Sequence, residues 1–426
     1  MFLLLSMLSS VAVAVTLDDA WKSAESSSPL VGLLHEQQVQ TGAMKTQAWA
    51  LVQPKLVLQG SWTRNEYETA VDFTEGLPAS FQEIIGEVDP IVVNKLEYFS
   101  GNVTVLQPIF SGIALPLLKG AIATVKAGAD DERAAKADLR VGIATAYYGL
   151  HVAREATGIA GRAVESARRH AQLAATTVTV GATSELMRMQ ADTALARAER
   201  QLGQSAVRVA EAEQALARLT GLPPETAVDP PDPPSLPYTD RDAALRRAES
   251  VRPDLSAAAY RQRAANMQLV ASHLSWLPEV DGRFTYNYTG NTGFSNDPTM
   301  WMVVLSANWT LWDGGMRVAN ETIAASQHRS AALAGRALRD EVREEITTLW
   351  ERHTRASESV RGLGAEIGLA ERTLKVAEVA FGAGAISYLD VEDARMVLDA
   401  ARLISLTEGM ERDLAAYRLL AATGDL

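Results

Sequence analysis

The chain has 426 residues, 47% hydrophobic and 22% charged, close to globular averages, so wholesale disorder is excluded and length alone leaves room for two or three domains. Acidic residues number 52 against 40 basic ones; the resulting −12 is the wrong sign for a nucleic-acid binder. There is no cysteine, which removes disulfides, thiolate metal sites, cysteine nucleophiles and cysteine lipidation together and fits an oxidising compartment.

Residues 1–14 read MFLLLSMLSSVAVA, a short apolar run ending in the small-x-small pattern Ala12-Val13-Ala14. It is too short to span a bilayer and reads as a signal peptide, although the usual basic n-region is missing; a buried apolar segment is the alternative. No later stretch is long and apolar enough for a transmembrane helix, so any membrane span must be a β-barrel.

The rest reads as one pattern written twice. Residues 15–221 form the first copy, 222–237 a linker with seven of the sixteen prolines, and 238–426 the second copy. Ala24-Glu25-Ser26 with Pro29 returns as Ala248-Glu249-Ser250 with Pro253, a shift of 224. Gly181-Ala182-Thr183-Ser184 with Leu186 returns as Gly384-Ala385-Ile386-Ser387 with Leu389, a shift of 203. The first copy therefore carries about twenty extra residues, between Pro54 and Phe110.

Each copy opens with a helical stretch, near Leu17–Val52 and Arg241–Ser275. Two segments of period-two alternation follow. In the first copy Leu56, Leu58 and Trp62 oppose Gln59, Ser61 and Thr63, and Phe99, Val103 and Val105 oppose Ser100, Asn102 and Thr104. In the second, Phe284, Tyr286 and Tyr288 oppose Arg283, Thr285 and Asn287, and Trp301, Val303 and Leu305 share one face. These are strands with one apolar and one polar face. Their aromatic residues suit membrane–water interfaces, and an ordinary half-buried soluble sheet is the alternative. The proline-free regions beyond, rich in Ala, Arg, Glu and Leu, read as long helices that reverse near Gly181 and Gly384. Some 65 residues from Ile113 make a helix of roughly 100 Å, too long for a compact domain, so hairpins packed as coiled coils are expected. Four strands cannot close a barrel around a channel and leave their edges unpaired, so several chains must share one.

Gln107-Pro108-Ile109-Phe110-Ser111-Gly112, Leu311-Trp312-Asp313-Gly314-Gly315, Thr145-Ala146-Tyr147-Tyr148, Leu219-Thr220-Gly221 and the run from Phe381 through Gly384, Ser387, Leu389 and Asp390 to Asp393-Ala394 occur in this order over nearly the whole chain. In them the chain resembles the TolC-type outer-membrane efflux channels (outer membrane factors). The resemblance implies a mixed fold, a membrane β-barrel plus an α-helical coiled-coil barrel, built as a homotrimer with twelve strands. It implies a passive exit duct of a tripartite efflux or type I secretion system in a Gram-negative outer membrane. The partners it implies are outer-membrane lipid, a periplasmic adaptor protein and, through it, an inner-membrane pump. It carries no cofactor, metal, nucleic-acid or catalytic expectation.

Two sites follow from the resemblance. Gly181, Ser184 and Leu186 with Gly384, Ser387 and Leu389 map onto adaptor-docking tips; simple capping of a helical turn is the alternative. Asp390 and Asp393, three apart on one helix face, map onto the acidic periplasmic gate; a solvated face is the alternative. Met187 departs from the family pattern, in which an acid is often found, and Ile386 stands where a polar or basic residue is common. A periplasmic coiled-coil structural or adaptor protein that never enters the membrane is the other function these residues allow. The missing cysteine leaves no site for the N-terminal lipid anchor that some relatives carry.

Overall fold

The computed structural model describes residues 14–78, 80, 81, 84, 86, 88–179 and 184–426. Most of the expected signal peptide, and Gly181, lie outside them. The first copy comprises α1 (Leu17–Ser27), α2 (Pro29–Ala50), β1 (Lys55–Arg64), β2 (Thr69–Val71), β3 (Ile91–Asn94), β4 (Glu97–Phe110), α3 (Ala114–Thr179) and α4 (Glu185–Thr220). The second comprises α5 (Arg241–Val251), α6 (Pro253–Leu274), β5 (Glu279–Thr289), β6 (Thr299–Asn308), α7 (Met316–Gly382) and α8 (Tyr388–Thr423). Matching elements have nearly equal lengths: α2 and α6 have 22 residues each, α4 and α8 36 each, α3 and α7 66 and 67.

The structure departs from the sequence reading in two places. Each opening helical stretch is two helices. Ser28 and Arg252, the residues before Pro29 and Pro253, sit at ψ 125° and 124°. A proline ring bars its predecessor from the helical region and supplies no N–H, so the first helix stops and a second starts on the proline. The extra residues of the first copy hold a small antiparallel ribbon, β2 with β3, between β1 and β4.

The chain divides into two compact units. One holds residues up to 39, 128–258 and 334–426; the other holds 40–127 and 259–333. The core of the first is built twice. Ala20, Ala24, Ile143 and Leu216 have the repeat partners Ala244, Ala248, Ile346 and Leu419, all buried. Small residues on α1 and α5 let these short helices approach the long ones closely. The ion pair Arg140–Glu25 (2.7 Å) has its own repeat partner, Arg343–Glu249 (3.1 Å). Tyr147 fixes the proline-rich linker: its hydroxyl donates to the carbonyls of Val15 and Asp229, both at 2.8 Å. Tyr148 donates to Asp232 O at 3.1 Å. Burial pushes the Tyr147 hydroxyl up to about 12.

The core element of the second unit is a four-stranded antiparallel sheet in the order β1-β4-β5-β6. Gly112, after β4, touches the backbone of α6 so closely that a Cβ there would lie 2.4 Å from Leu274 O. Only glycine fits that position.

Candidate functional site

Strand register sorts the sheet into two faces. Leu58, Val103, Tyr286 and Trp301 lie side by side across all four strands, and so do Leu56, Val105, Phe284 and Val303. The apolar rows are open on the two edge strands, where Leu58 is 78% and Leu305 70% accessible, and half-buried at Val103 and Val105 of β4. The polar face carries a ladder of side-chain bonds, Ser61–Ser100 (2.9 Å), Asn102–Gln59 (3.1 Å) and Thr104–Thr285 (3.3 Å), with Thr285 buried at 8%. A water-soluble sheet turns its apolar face inward, and this one does the reverse. Met300, Met302 and Val304 of β6 depart from the pattern, sitting in register with the polar row.

The dimensions agree. Lys55 and Arg64 bracket β1, nine steps apart, or about 30 Å of strand; at the usual barrel tilt that spans about 23 Å, close to the ~25 Å apolar band of outer-membrane barrels. Where the strands meet the helices stand the exposed Trp309 and Trp312 and the half-covered Trp276. Trp309 Nε1 donates to Trp276 O at 3.0 Å, and the buried Arg317 guanidinium lies 4.3 Å above the Trp276 ring. Asp313 holds Arg317 at 2.9 Å and accepts from the backbone of Gly315 and Arg317, which accounts for the Trp-Asp-Gly-Gly run. No helix among the described residues is long and apolar enough to cross a membrane. Both sheet edges, β1 and β6, lack a strand partner within the described chain.

The two helical turns sit at the far ends of the hairpins in sequence. At the second, Gly384 adopts φ +74°, the left-handed conformation that ends helices, and Ala385 N donates to Ala380 O at 2.9 Å. Ser387 then caps α8: its backbone N–H and hydroxyl both donate to Asp390 Oδ2, at 2.8 and 2.7 Å. The Ser387 hydroxyl, and then its N–H, hold the Asp390 carboxyl below the usual carboxylate range. Asp393 is exposed, as is Leu389. At the first turn Ser184 accepts from Met187 N at 3.3 Å, and Leu186 is exposed like its counterpart Leu389. Sequence reasoning missed a ring cluster beside the second turn: Tyr388 stacks on His170 of α3, and Phe381 meets both edge-on, with ring centres 5.9 and 6.0 Å away. Burial holds the His170 imidazole down to about 4 and pushes the Tyr388 phenol up, helped by its 2.8 Å bond to Glu392. Among the described residues no cluster of carboxylates and histidines could hold a metal.

The family profile described as outer membrane efflux protein matches residues 35–222 and again 244–425. The chain belongs to that family. The double match falls on the two copies. No curated protein sequence matches the chain. Solved structures share its fold. The Campylobacter jejuni CmeC outer membrane channel superposes with a TM-score of 0.81 at 15% identity, over 96% of this chain and 85% of that one. The outer membrane protein VceC of Vibrio cholerae gives 0.77 at 19%, over 96% of both chains. The open state of the Neisseria gonorrhoeae MtrE outer membrane channel gives 0.77 at 16%, over 96% and 88%. The protein is thus an outer membrane efflux protein with the chain fold of the outer-membrane channels, and the periplasmic adaptor alternative falls away.

Proposed function

We propose that the channel is a passive exit duct, catalysing no reaction, that receives cargo from an inner-membrane pump through a periplasmic adaptor. The observation that carries the duct is the sheet: apolar rows open to the outside at both edge strands and two unpaired edges, which three chains satisfy by sharing one twelve-stranded wall. Reconstitution in a planar bilayer tests it. Stepwise conductance is expected, and a protein that remains monomeric and dissolved without detergent overturns the reading.

The adaptor meets the turns at Gly181, Ser184 and Leu186 and at Gly384, Ser387 and Leu389. The exposed leucine just after each capping serine, present in both copies, supports docking over capping alone. Gly384→Trp should abolish adaptor pull-down, and unchanged capture refutes the assignment. Asp390 and Asp393 line the periplasmic gate, six carboxylates in three copies, which favours cations and lets divalent cations block. Asp393 is the more available of the two, because Asp390 is engaged by Ser387. If Asp390→Ala with Asp393→Ala leaves conductance and divalent block as in the wild type, the gate lies elsewhere.

A further inference from the structure

The duplication supplies a template for a contact that one chain cannot make with itself. Within the chain, α6 of the second copy lies along α3 of the first. A Cβ on Gly120 would stand 3.4 Å from Met267 Cβ and 3.6 Å from Ala264 O, and Lys126 lies 5.5 Å over the ring of Tyr260. The repeat partners of these helices are α2 and α7. The shift of 224 carries α6 onto α2 residue for residue, and 203 carries α3 onto α7. The matched ion pairs Arg140–Glu25 and Arg343–Glu249 show that both shifts hold in space.

The two partners are bare. Most of α6 is half-buried, whereas α2 is exposed along most of its length, with Leu30, Leu33, Val39, Met44 and Trp49 open to solvent. Its apolar residues fall all round the helix, the pattern of a helix covered by neighbours. On α7, Ser326 and Ser330 are exposed where their α3 counterparts Ala123 and Ala127 are buried, and Ile323 is exposed as well.

We infer that α2 of one subunit docks on the N-terminal part of α7 of the next subunit in the register that α6 keeps on α3, setting Ala43 and Gln40 against Ile323 and Glu36 against Arg329. The Lys126–Tyr260 contact is replaced there by an ion pair. Glu36 and Arg329 are both exposed, and neither has a charged partner among the described residues. This rests on the trimer and adds which surfaces meet and at what register.

The cysteine-free chain makes the test direct. Full-length protein carrying Ala43→Cys with Ile323→Cys, oxidised in native membranes, should run as covalent dimer and trimer on denaturing gels. Each single variant, and the off-register pair Ala43→Cys with Ala332→Cys, should stay monomeric there. The template spacing is near the ~3.8 Å Cβ separation of disulfides, and a short bis-maleimide covers the extra reach that the larger Ile323 position demands. Independently, Glu36→Arg and Arg329→Glu should each lower the midpoint of trimer dissociation, and the double exchange should restore it. A trimer that cross-links only off register, or that the double exchange fails to rescue, overturns the inference while leaving the trimer standing. A protein that is monomeric in detergent without any substitution refutes the trimer itself.

Discussion

Replacing Leu58 by arginine puts the lipid-facing reading of the sheet at risk. Leu58 lies near the middle of β1, between the charged ends Lys55 and Arg64, on the face shared with Val103, Tyr286 and Trp301. On a water-facing surface a residue this exposed would accept arginine within about 0.5 kcal/mol. Near the midplane of a bilayer arginine costs about 2–4 kcal/mol, and three copies in one barrel bring about 6–12. At 1.4 kcal/mol per tenfold, even the lower figure depletes the inserted trimer about ten-thousandfold. Gln59→Arg, one residue on, faces the opposite side and gives up one bond to Asn102, worth about 1 kcal/mol. The assay is recovery of detergent-resistant trimer from the outer-membrane fraction of cells expressing each variant at equal levels. Leu58→Arg should be absent and Gln59→Arg present. Equal recovery of both, or loss of only the Gln59 variant, would mean that the faces have been assigned the wrong way round.

Tyr147→Phe removes the hydroxyl bond to the linker carbonyl of Asp229 and the one to Val15 O, which keeps the Asp229 N–H as donor, costing about 1–3 kcal/mol; limited proteolysis should cut within 222–237 sooner than in the wild type. Gly112→Ala drives a methyl group into Leu274 O and should lower the unfolding temperature, an overpacking cost of about 1–3 kcal/mol, whereas Gly142→Ala, in open space within α3, should raise it slightly. The His170 imidazole is held below its ordinary 6.5, so the unfolded chain binds the proton more readily. Stability is then complete above pH 6.5 and falls as pH drops toward 4, by about 1–3 kcal/mol per chain. Thermal melts of His170→Phe should lack that part of the acid dependence, and identical pH profiles for the two proteins would exclude it.

The sequence carries the duplication plainly, because glycines and serines that end and restart a helix recur at one spacing. The strands were equally legible from their alternation. What alternation cannot tell is which side is wet: Leu58 and Gln59 would alternate in a soluble sheet too, and it is the open Leu58 and Leu305 of the apolar row against the buried Thr285 of the polar row that separates the cases. The breaks before Pro29 and Pro253 went unread because helical residues continue on both sides. The β2–β3 ribbon was missed because three residues, Thr69–Val71, are too few to show a period. At the second turn, the Ser387-x-x-Asp390 spacing contains the cap that the structure displays. The stack of Tyr388 on His170 left no local trace, since the two rings belong to helices far apart in the chain.

The β2–β3 ribbon occurs in the first copy only, at the ends of the strands away from the helices, tied there by Lys95 Nζ donating to Gly290 O at 2.7 Å and by the ring contact of Phe73 with Phe294. A periplasmic helical tube puts those ends on the outer surface of the cell. An antibody raised against the ribbon should therefore stain unpermeabilised bacteria, with three binding positions per assembled particle where a perfect duplication would have offered six.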